Sequence, residues 1–171
     1  MAASETMVRM GELAVSSAPG HVLVSLGLGS CIGLALVDRR MGIAGLAHIV
    51  LPQSQGHGGE NPRKFADLAM PELLDELESL GARKVRLEAV LVGGASMFAV
   101  SASSLEVGQR NEEAVRELLK QHRIPVVATA TGGNRGRTIR VDVGTSAVTV
   151  REAGGRDTEL LVGTRALEMA A

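Results

Sequence analysis

The sequence predicts an α+β fold built as one domain over residues 1–171. Its apolar segments follow the order strands, helix, strand, helix, strands, and this order lacks the strict alternation of a doubly wound parallel sheet. A chain of 171 residues has the usual length of one domain. Neither an internal repeat nor a linker divides it, so one folding unit is the simplest arrangement.

The first part of the chain reads as β-structure. Apolar and β-branched residues predict a short strand over 11–16 and another over 21–26. Two longer apolar runs, 32–37 and 43–51, are separated by a polar turn at 38–42. Both faces of these two runs are apolar, which predicts a β-hairpin that lies inside the fold rather than at its surface.

Two helices are predicted in the middle of the chain. Asn61 and Pro62 are suited to the N-cap and first position of a helix, and Gly81 is suited to end it. Pro71 falls inside this segment, where it is expected to kink the helix or divide it in two. A second helix is predicted to open at Asn111 or just before it, because apolar residues with helical spacing follow.

The remaining apolar segments predict further strands. A Gly/Asn turn at 132–134 separates some of them, and the tail from residue 152 onward is weakly patterned. The predicted strands are 85–92, 124–128, 138–143 and 147–151, with 160–162 as a further candidate in the tail.

Composition excludes several classes of function. The net charge is −1 and the pI is about 6.4, so no basic surface for nucleic acid or anionic membranes is expected. Aromatic residues make up only 1% of the chain, which argues against base-stacking platforms. We see no signal peptide and no apolar run near the roughly 18 residues that span a bilayer. With a single cysteine, Cys31, the chain is expected in the reducing cytoplasm.

Cys31 is a candidate nucleophile if a base lies beside it, because only the thiolate attacks. If the hairpin pairs residue 38 with residue 43, His48 faces Gly33, and Cys31 is its diagonal neighbour on the same face. A shift of one residue would put Cys31 and His48 on opposite faces. The ordinary alternatives are a buried small hydrophobic cysteine and a core histidine with satisfied hydrogen bonds.

The residues around Cys31 suit acyl transfer. Gly29 and Ser30 let the chain turn sharply, so that the backbone N–H groups of Ser30 and Cys31 could stabilise a thiolate and an oxyanion. The hydroxyl of Ser25 could orient the imidazole of His48 as a third catalytic member.

Other candidate residues have simpler explanations. His57 lies in a polar, Gly-rich loop, His21 begins a strand, and His122 ends a helix. Residues 132–137 resemble a phosphate loop only superficially, and a tight turn with exposed arginines explains them better. No spacing of His, Cys, Asp or Glu suggests a metal site, so no metal or cofactor is expected.

Several short motifs follow one another along the chain. They are SLGLGSC ending at Cys31, AHIVLP around His48, NPRKFAD from Asn61, GGASMF from Gly93, VGQRN ending at Asn111, IPVV from Ile124 and GGNRGRT from Gly132. Together they cover about residues 10 to 151 without large gaps. In this order the motifs resemble one known family, the chemoreceptor glutamine deamidases (CheD).

The resemblance implies layered mixed β-sheets with helices outside, and hydrolysis of selected glutamine side chains on chemotaxis receptors to glutamate. The family's nucleophile falls on Cys31 and its histidine on His48. Its third residue is usually threonine, and here that position is Ser25. A serine keeps the hydroxyl but lacks the methyl group that fixes the rotamer.

The resemblance also implies binding to a CheC-type phosphatase. A non-catalytic adaptor for that phosphatase is therefore the main alternative to an enzyme. A redox sensor is a third alternative, but the chain has no second cysteine to resolve an oxidised Cys31.

Overall fold

The computed structural model describes residues 4–55, 59–97 and 102–164. In this part of the chain ten strands form two five-stranded sheets, and two α-helices accompany them. The helices are α1, Ala66–Ser79, and α2, Ala102–Gln121. The strands are β1 Ser4–Met7, β2 Leu13–Ser16, β3 His21–Leu28, β4 Ile32–Asp38, β5 Ile43–Ile49, β6 Glu88–Gly93, β7 Val126–Thr131, β8 Arg137–Asp142, β9 Val148–Glu152 and β10 Asp157–Leu161.

The two sheets and the helices form three layers. The central sheet has the order β2-β5-β4-β6-β7, and the outer sheet has the order β1-β3-β8-β9-β10. Both are mixed, since β6 pairs with β7 and β1 with β3 in parallel while the other pairs are antiparallel. One apolar cluster joins the central sheet to the helices, and a second lies between the sheets. The predicted α+β class is thereby confirmed.

The hairpin of β4 and β5 is buried on both faces, as its apolar pattern predicts. Leu34 of β4 faces the helices, and Ala35 faces the outer sheet. The register pairs Asp38 with Ile43 and Gly33 with His48, so the pairing assumed from the sequence is confirmed. A slip of one residue would instead have placed Cys31 and His48 on opposite faces of the sheet.

The start predicted for the first helix is wrong. Residues Pro62–Lys64 form only one 3₁₀ turn, and Asn61 makes no side-chain cap. Phe65 is extended, because backbone hydrogen bonds tie its neighbours to Leu51, and α1 begins after it. Pro71 lies within α1 without dividing it, since its ring removes only one N–H donor. The predicted stop is confirmed at Gly81, which has φ +108°.

The second helix begins nine residues before the predicted position, at Ala102 instead of Asn111. Serine and glycine, including Gly108, are weak helix formers, so this first part of α2 has no strong local signal. Packing against the rest of the fold stabilises this part of the helix instead. A Cβ on Gly108 would lie 2.7 Å from the carbonyl oxygen of Gly94, so α2 packs directly on the loop after β6.

Two edge strands also depart from the sequence-based expectation. β1 is absent from the predicted elements, and it is held by parallel pairing with β3. β10 starts at Asp157, earlier than the candidate strand at 160–162, and pairs with β9. Within the described ranges, neither helix is apolar enough over sufficient length to cross a membrane.

Candidate active site

Cys31 and His48 lie on the face of the central sheet that is covered by the outer sheet. Cys31 directly precedes β4 and packs in the apolar cluster between the sheets, together with Ala35. His48 is paired with Gly33, two residues along β4 from Cys31, and alternation places it on the same face. Both are buried, with relative exposures of 9% for Cys31 and 3% for His48. The hairpin therefore makes them diagonal neighbours.

The glycines of the hairpin serve two different faces. A Cβ on Gly33 would lie 2.8 Å from the side chain of Leu28. Because glycine has no Cβ, the outer sheet can pack closely beside the candidate pair. A Cβ on Gly45 would meet Leu73 of α1 at 2.8 Å, which places this glycine on the helix side.

The imidazole of His48 is oriented by a backbone carbonyl. Its Nδ1–H donates to the carbonyl oxygen of Val8 at 3.1 Å, so Nε2 carries the lone pair in the neutral ring. Nε2 is buried and has no hydrogen-bond partner among the described residues. Burial lowers the pKa of His48, against smaller opposing effects of the Val8 carbonyl and the Glu12 charge. This arrangement has the tautomer and charge that a general base needs.

Ser25 lies on β3 of the outer sheet and is fully buried. Its hydroxyl donates to the carbonyl oxygen of Val8 at 2.7 Å, the same oxygen that accepts from His48. Ser25 is therefore linked to the imidazole of His48 only indirectly, through the Val8 carbonyl that accepts from both. Val8 could not be identified from the sequence, because a backbone oxygen leaves no trace in residue type.

Burial raises the pKa of the Cys31 thiol, and the residue's own backbone N–H opposes this in part. At neutral pH the thiol is thus protonated and the imidazole is neutral. The roles of the N–H groups of Ser30 and Cys31 in an oxyanion hole stay predictions.

The turn that carries Cys31 is anchored by the loop after β6. The carbonyl of Gly29 accepts from the N–H of Ala95 at 2.8 Å, and that of Cys31 accepts from Gly94 at 2.9 Å. Gly93 passes so close that a Cβ there would lie 2.1 Å from the Cys31 oxygen. Only glycine fits this position, which also has φ +116°.

Arg137 is buried, although the sequence predicted that it is exposed. The Gly/Asn turn was predicted to carry exposed arginines, and Arg135 is indeed exposed, but Arg137 is buried. Its guanidinium donates to the carbonyl oxygens of Gly132 at 2.7 Å and Gly93 at 3.4 Å. Arg137 therefore supports the loop that anchors the Cys31 turn. The sequence did contain a sign of this burial, because Arg137 lies on the same face of β8 as apolar residues.

A surface pocket of about 300 Å³ touches His48. Most of its wall is aliphatic, and two of its side chains, Met10 and Leu26, are 66% and 52% exposed. Its lining consists of Met7, Val8, Arg9, Met10, Leu26 and His48. Apolar side chains this exposed are available for contact with another molecule.

The other candidate residues do not join this site. His57 lies outside the described residues. His21 is hydrogen-bonded to Thr6 and Ser16, at 2.7 and 2.8 Å, and links the first strands of the two sheets. His122 follows α2. The residues that the structure describes contain no group of three or more His, Cys, Asp or Glu suited to a metal ion.

Two solved structures align with part of this chain. A Neisseria meningitidis protein of family DUF152 aligns over 77% of this chain and 63% of its own, with 10% identity and a TM-score of 0.47. The hypothetical protein YfiH of Bacillus licheniformis aligns over 71% of this chain and 49% of its own, with 14% identity and a TM-score of 0.44.

Sequence comparison gives a much stronger relationship. The family model described as CheD chemotactic sensory transduction matches residues 50–152. A Clostridium kluyveri protein named "Probable chemoreceptor glutamine deamidase CheD" is 43% identical over 157 residues, which cover 90% of this chain and 96% of that protein. A Clostridium botulinum (strain Hall) protein of the same name is 46% identical, over 88% and 94% of the two chains. The chain therefore belongs to the CheD family.

Proposed function

We propose that this protein is a protein-glutamine deamidase that hydrolyses glutamine side chains of chemotaxis receptors, with Cys31 as nucleophile and His48 as base. The observation that carries the proposal is the hairpin register, which makes Cys31 and His48 diagonal neighbours on one buried face. The buried, unpartnered Nε2 of His48 supports it further. The names of the relatives supply the substrate class, glutamine on chemoreceptors.

The proposed reaction has two stages. Nε2 of His48 takes the thiol proton of Cys31, and sulfur forms a bond to Cδ of the glutamine while the carbonyl π electrons move to oxygen. The N–H groups of Ser30 and Cys31 donate to that oxyanion. The imidazolium then returns the proton to the amide nitrogen, the C–N bond breaks, and ammonia leaves a thioester.

Water completes the cycle. His48 takes a proton from the water molecule, whose oxygen attacks the thioester carbon, and the C–S bond breaks with return of the proton to sulfur. The products are glutamate and ammonia, and Cys31 is regenerated as a thiol. Ser25 contributes to both stages by donating to the Val8 carbonyl that orients the imidazole.

The surroundings of His48 suit a protein substrate. The exposed Met10 and Leu26 border the pocket at His48, and Met97, which packs over Gly29 in the Cys31 turn, is 45% exposed. A receptor helix that presents a glutamine among apolar side chains could cover these groups. Such a substrate implies action on the cytoplasmic part of the receptor, and hence a cytoplasmic enzyme.

The resemblance supports one further partner, a CheC-type phosphatase. A protein that covered Met10 and Leu26 would also cover the entrance to His48. If the phosphatase binds this surface, its binding and deamidation should compete. This competition distinguishes an enzyme with a regulatory partner from an adaptor that lacks activity.

Mass spectrometry of a purified receptor cytoplasmic fragment tests the proposal. We expect the wild-type protein to convert specific glutamines to glutamates, seen as the mass gain of an amide that becomes an acid. Cys31→Ala and His48→Ala should abolish this gain, whereas the matched histidine control His122→Ala should retain it, because His122 lies outside the site. Equal spectra from wild type and Cys31→Ala would contradict the enzyme and favour the adaptor.

A further inference from the structure

Asn111 is a buried polar residue that neither the proposed triad nor the oxyanion hole explains. It lies on α2 and is fully inaccessible to solvent. Its side-chain N–H₂ group donates two hydrogen bonds, to the carbonyl oxygens of Ser30 and Val50, each at 2.9 Å. Both acceptors are carbonyls, so the amide can form these bonds in only one orientation.

These two carbonyls lie just outside the two strands of the hairpin, at its open end. Ser30 precedes Cys31, and Val50 follows β5 two residues after His48. The last ladder pair of the hairpin is Ile32 with Ile49, so Asn111 bridges the strands immediately beyond the last pair. Asn111 thus connects the chain segment of the nucleophile with that of the base.

The bond to Ser30 has a second consequence. The Ser30 carbonyl and the Cys31 N–H belong to the same planar peptide unit, so a bond that fixes the oxygen also fixes the direction of the N–H. The backbone N–H of Cys31 lowers the pKa of its own thiol, against the larger effect of burial. A hydrogen bond to the carbonyl also polarises the peptide unit and strengthens its N–H as a donor.

Asn111 completes a set of three anchors on the nucleophile turn. The carbonyls of Gly29 and Cys31 accept from the backbone of the loop after β6, and the carbonyl between them accepts from Asn111. Three consecutive peptide units are thereby held from outside the turn. Gly108, one helical turn before Asn111, allows α2 to approach this loop closely enough for the bond to form.

We infer that Asn111 is a positioning residue for catalysis, which sets the direction of the Cys31 N–H by binding the carbonyl of Ser30 and holds the Cys31 turn against the end of the His48 strand. The inference rests on the proposed function, since the N–H is useful only if Cys31 reacts. Its effect should appear mainly in kcat, because Asn111 itself is fully buried.

Two near-isosteric substitutions test this inference, and both remove the donor. Asn111→Asp introduces a carboxylate, and Asn111→Leu removes the polar group without adding charge. The matched control is Gln109→Glu, the same amide-to-acid change on an exposed side chain of α2. For receptor deamidation we expect kcat to fall by about tenfold to a hundredfold in both Asn111 variants, with KM unchanged. Gln109→Glu should retain the wild-type values.

Iodoacetamide labelling of Cys31 at a fixed pH separates positioning from simple loss of stability. A less favourably directed N–H should slow labelling of Asn111→Leu by about threefold or more, because less thiolate forms. Loosening of the fold would instead expose the buried thiol and accelerate labelling. Faster labelling, failure of both variants to fold, or wild-type kcat and labelling in folded variants would each overturn the inference.

The labelling result also distinguishes this inference from the proposed function. If the wild type fails to deamidate receptor glutamines but Asn111→Leu still slows labelling, the proposed substrate is wrong and the role of Asn111 in directing the Cys31 N–H stands. If the wild type deamidates the receptor and the folded variants match it, the inference alone fails.

Discussion

His48 and Ser25 donate hydrogen bonds to one and the same oxygen, the carbonyl of Val8, at 3.1 and 2.7 Å. These two residues lie on different sheets, and Val8 lies just after the edge strand β1. The orientation of the proposed base therefore depends on a carbonyl that a third segment supplies. The hydroxyl of Ser25 holds the Val8 carbonyl oxygen in position, and that oxygen orients the imidazole of His48.

Ser25→Ala should lower kcat for deamidation about fivefold, the equivalent of one lost hydrogen bond worth about 1 kcal/mol, because the Val8 carbonyl loses a donor. KM should not change. The matched control is Ser16→Ala, which removes another buried serine hydroxyl, one bonded to His21. Steady-state kinetics should show a loss of kcat for Ser25→Ala only, and equal losses in both variants would contradict the relay through Val8.

The dependence of kcat/KM on pH should reflect the lowered pKa of His48. The base must be neutral to accept a proton, and a lowered pKa keeps it neutral into more acidic solution. The acidic limb should therefore lie below the ordinary histidine value of about 6.5. A limb at or above that value, measured across pH 4.5 to 8 (about the range in which histidine titrates), would show that another group controls the reaction.

Cys31 should behave as a protected thiol. Its raised pKa predicts slow alkylation by iodoacetamide at neutral pH, with a rate that rises only above the ordinary cysteine value of about 8.5. The measurement is the labelling rate as a function of pH, with denatured protein as the reference. A native rate at pH 7 faster than the denatured rate would indicate a standing thiolate and contradict the resting state described above.

Gly93→Ala should destabilise the protein far more than Gly132→Ala. Both glycines have positive φ, so each substitution carries a backbone cost of about 1–2 kcal/mol. A Cβ on Gly93 would also lie 2.1 Å from the Cys31 oxygen, whereas one on Gly132 would meet nothing within 4 Å. Urea unfolding should show a larger loss of unfolding free energy for Gly93→Ala than for Gly132→Ala. Equal losses would mean that the backbone around Gly93 can move to accommodate a Cβ.

Arg137→Met should reduce the free energy of unfolding by about 2 kcal/mol, because hydrogen bonds from a charged donor to Gly132 and Gly93 are lost. It should also lower kcat, since Gly93 ends β6 directly before the loop that anchors the Cys31 turn. Arg135→Met is the matched control on an exposed side chain and should leave both quantities unchanged. Similar unfolding curves for the two variants would contradict the supporting role of Arg137.

The sequence predicted those features that follow from local pattern. The position of the turn suggested the register of Gly33 with His48, but two apolar faces could not by themselves exclude a slip of one residue. The start of α2 could not be predicted, since Gly108 favours a helix only when the loop after β6 packs against it. The role of Val8 was equally hidden, because its backbone oxygen acts while its side chain packs in the core.

Asn111 and Arg137 show where more could have been inferred. Each is a polar residue at a position that the helical or strand period assigns to an apolar face. Such a residue must find partners inside the protein, but its own segment does not say which carbonyls these are. The two acceptors of Asn111 are 81 and 61 residues away along the chain, and only the folded structure brings them together.

The parallel pairing of β1 with β3 has a consequence for when the enzyme is competent. Val8 is held at the end of a four-residue strand at the edge of its sheet, where local opening costs less free energy than unfolding of the whole domain. Each detachment of β1 would release the imidazole of His48 while the central sheet stayed intact. The population of competent molecules is then governed by fraying of this edge strand, so activity should decline on heating before the global melting transition begins.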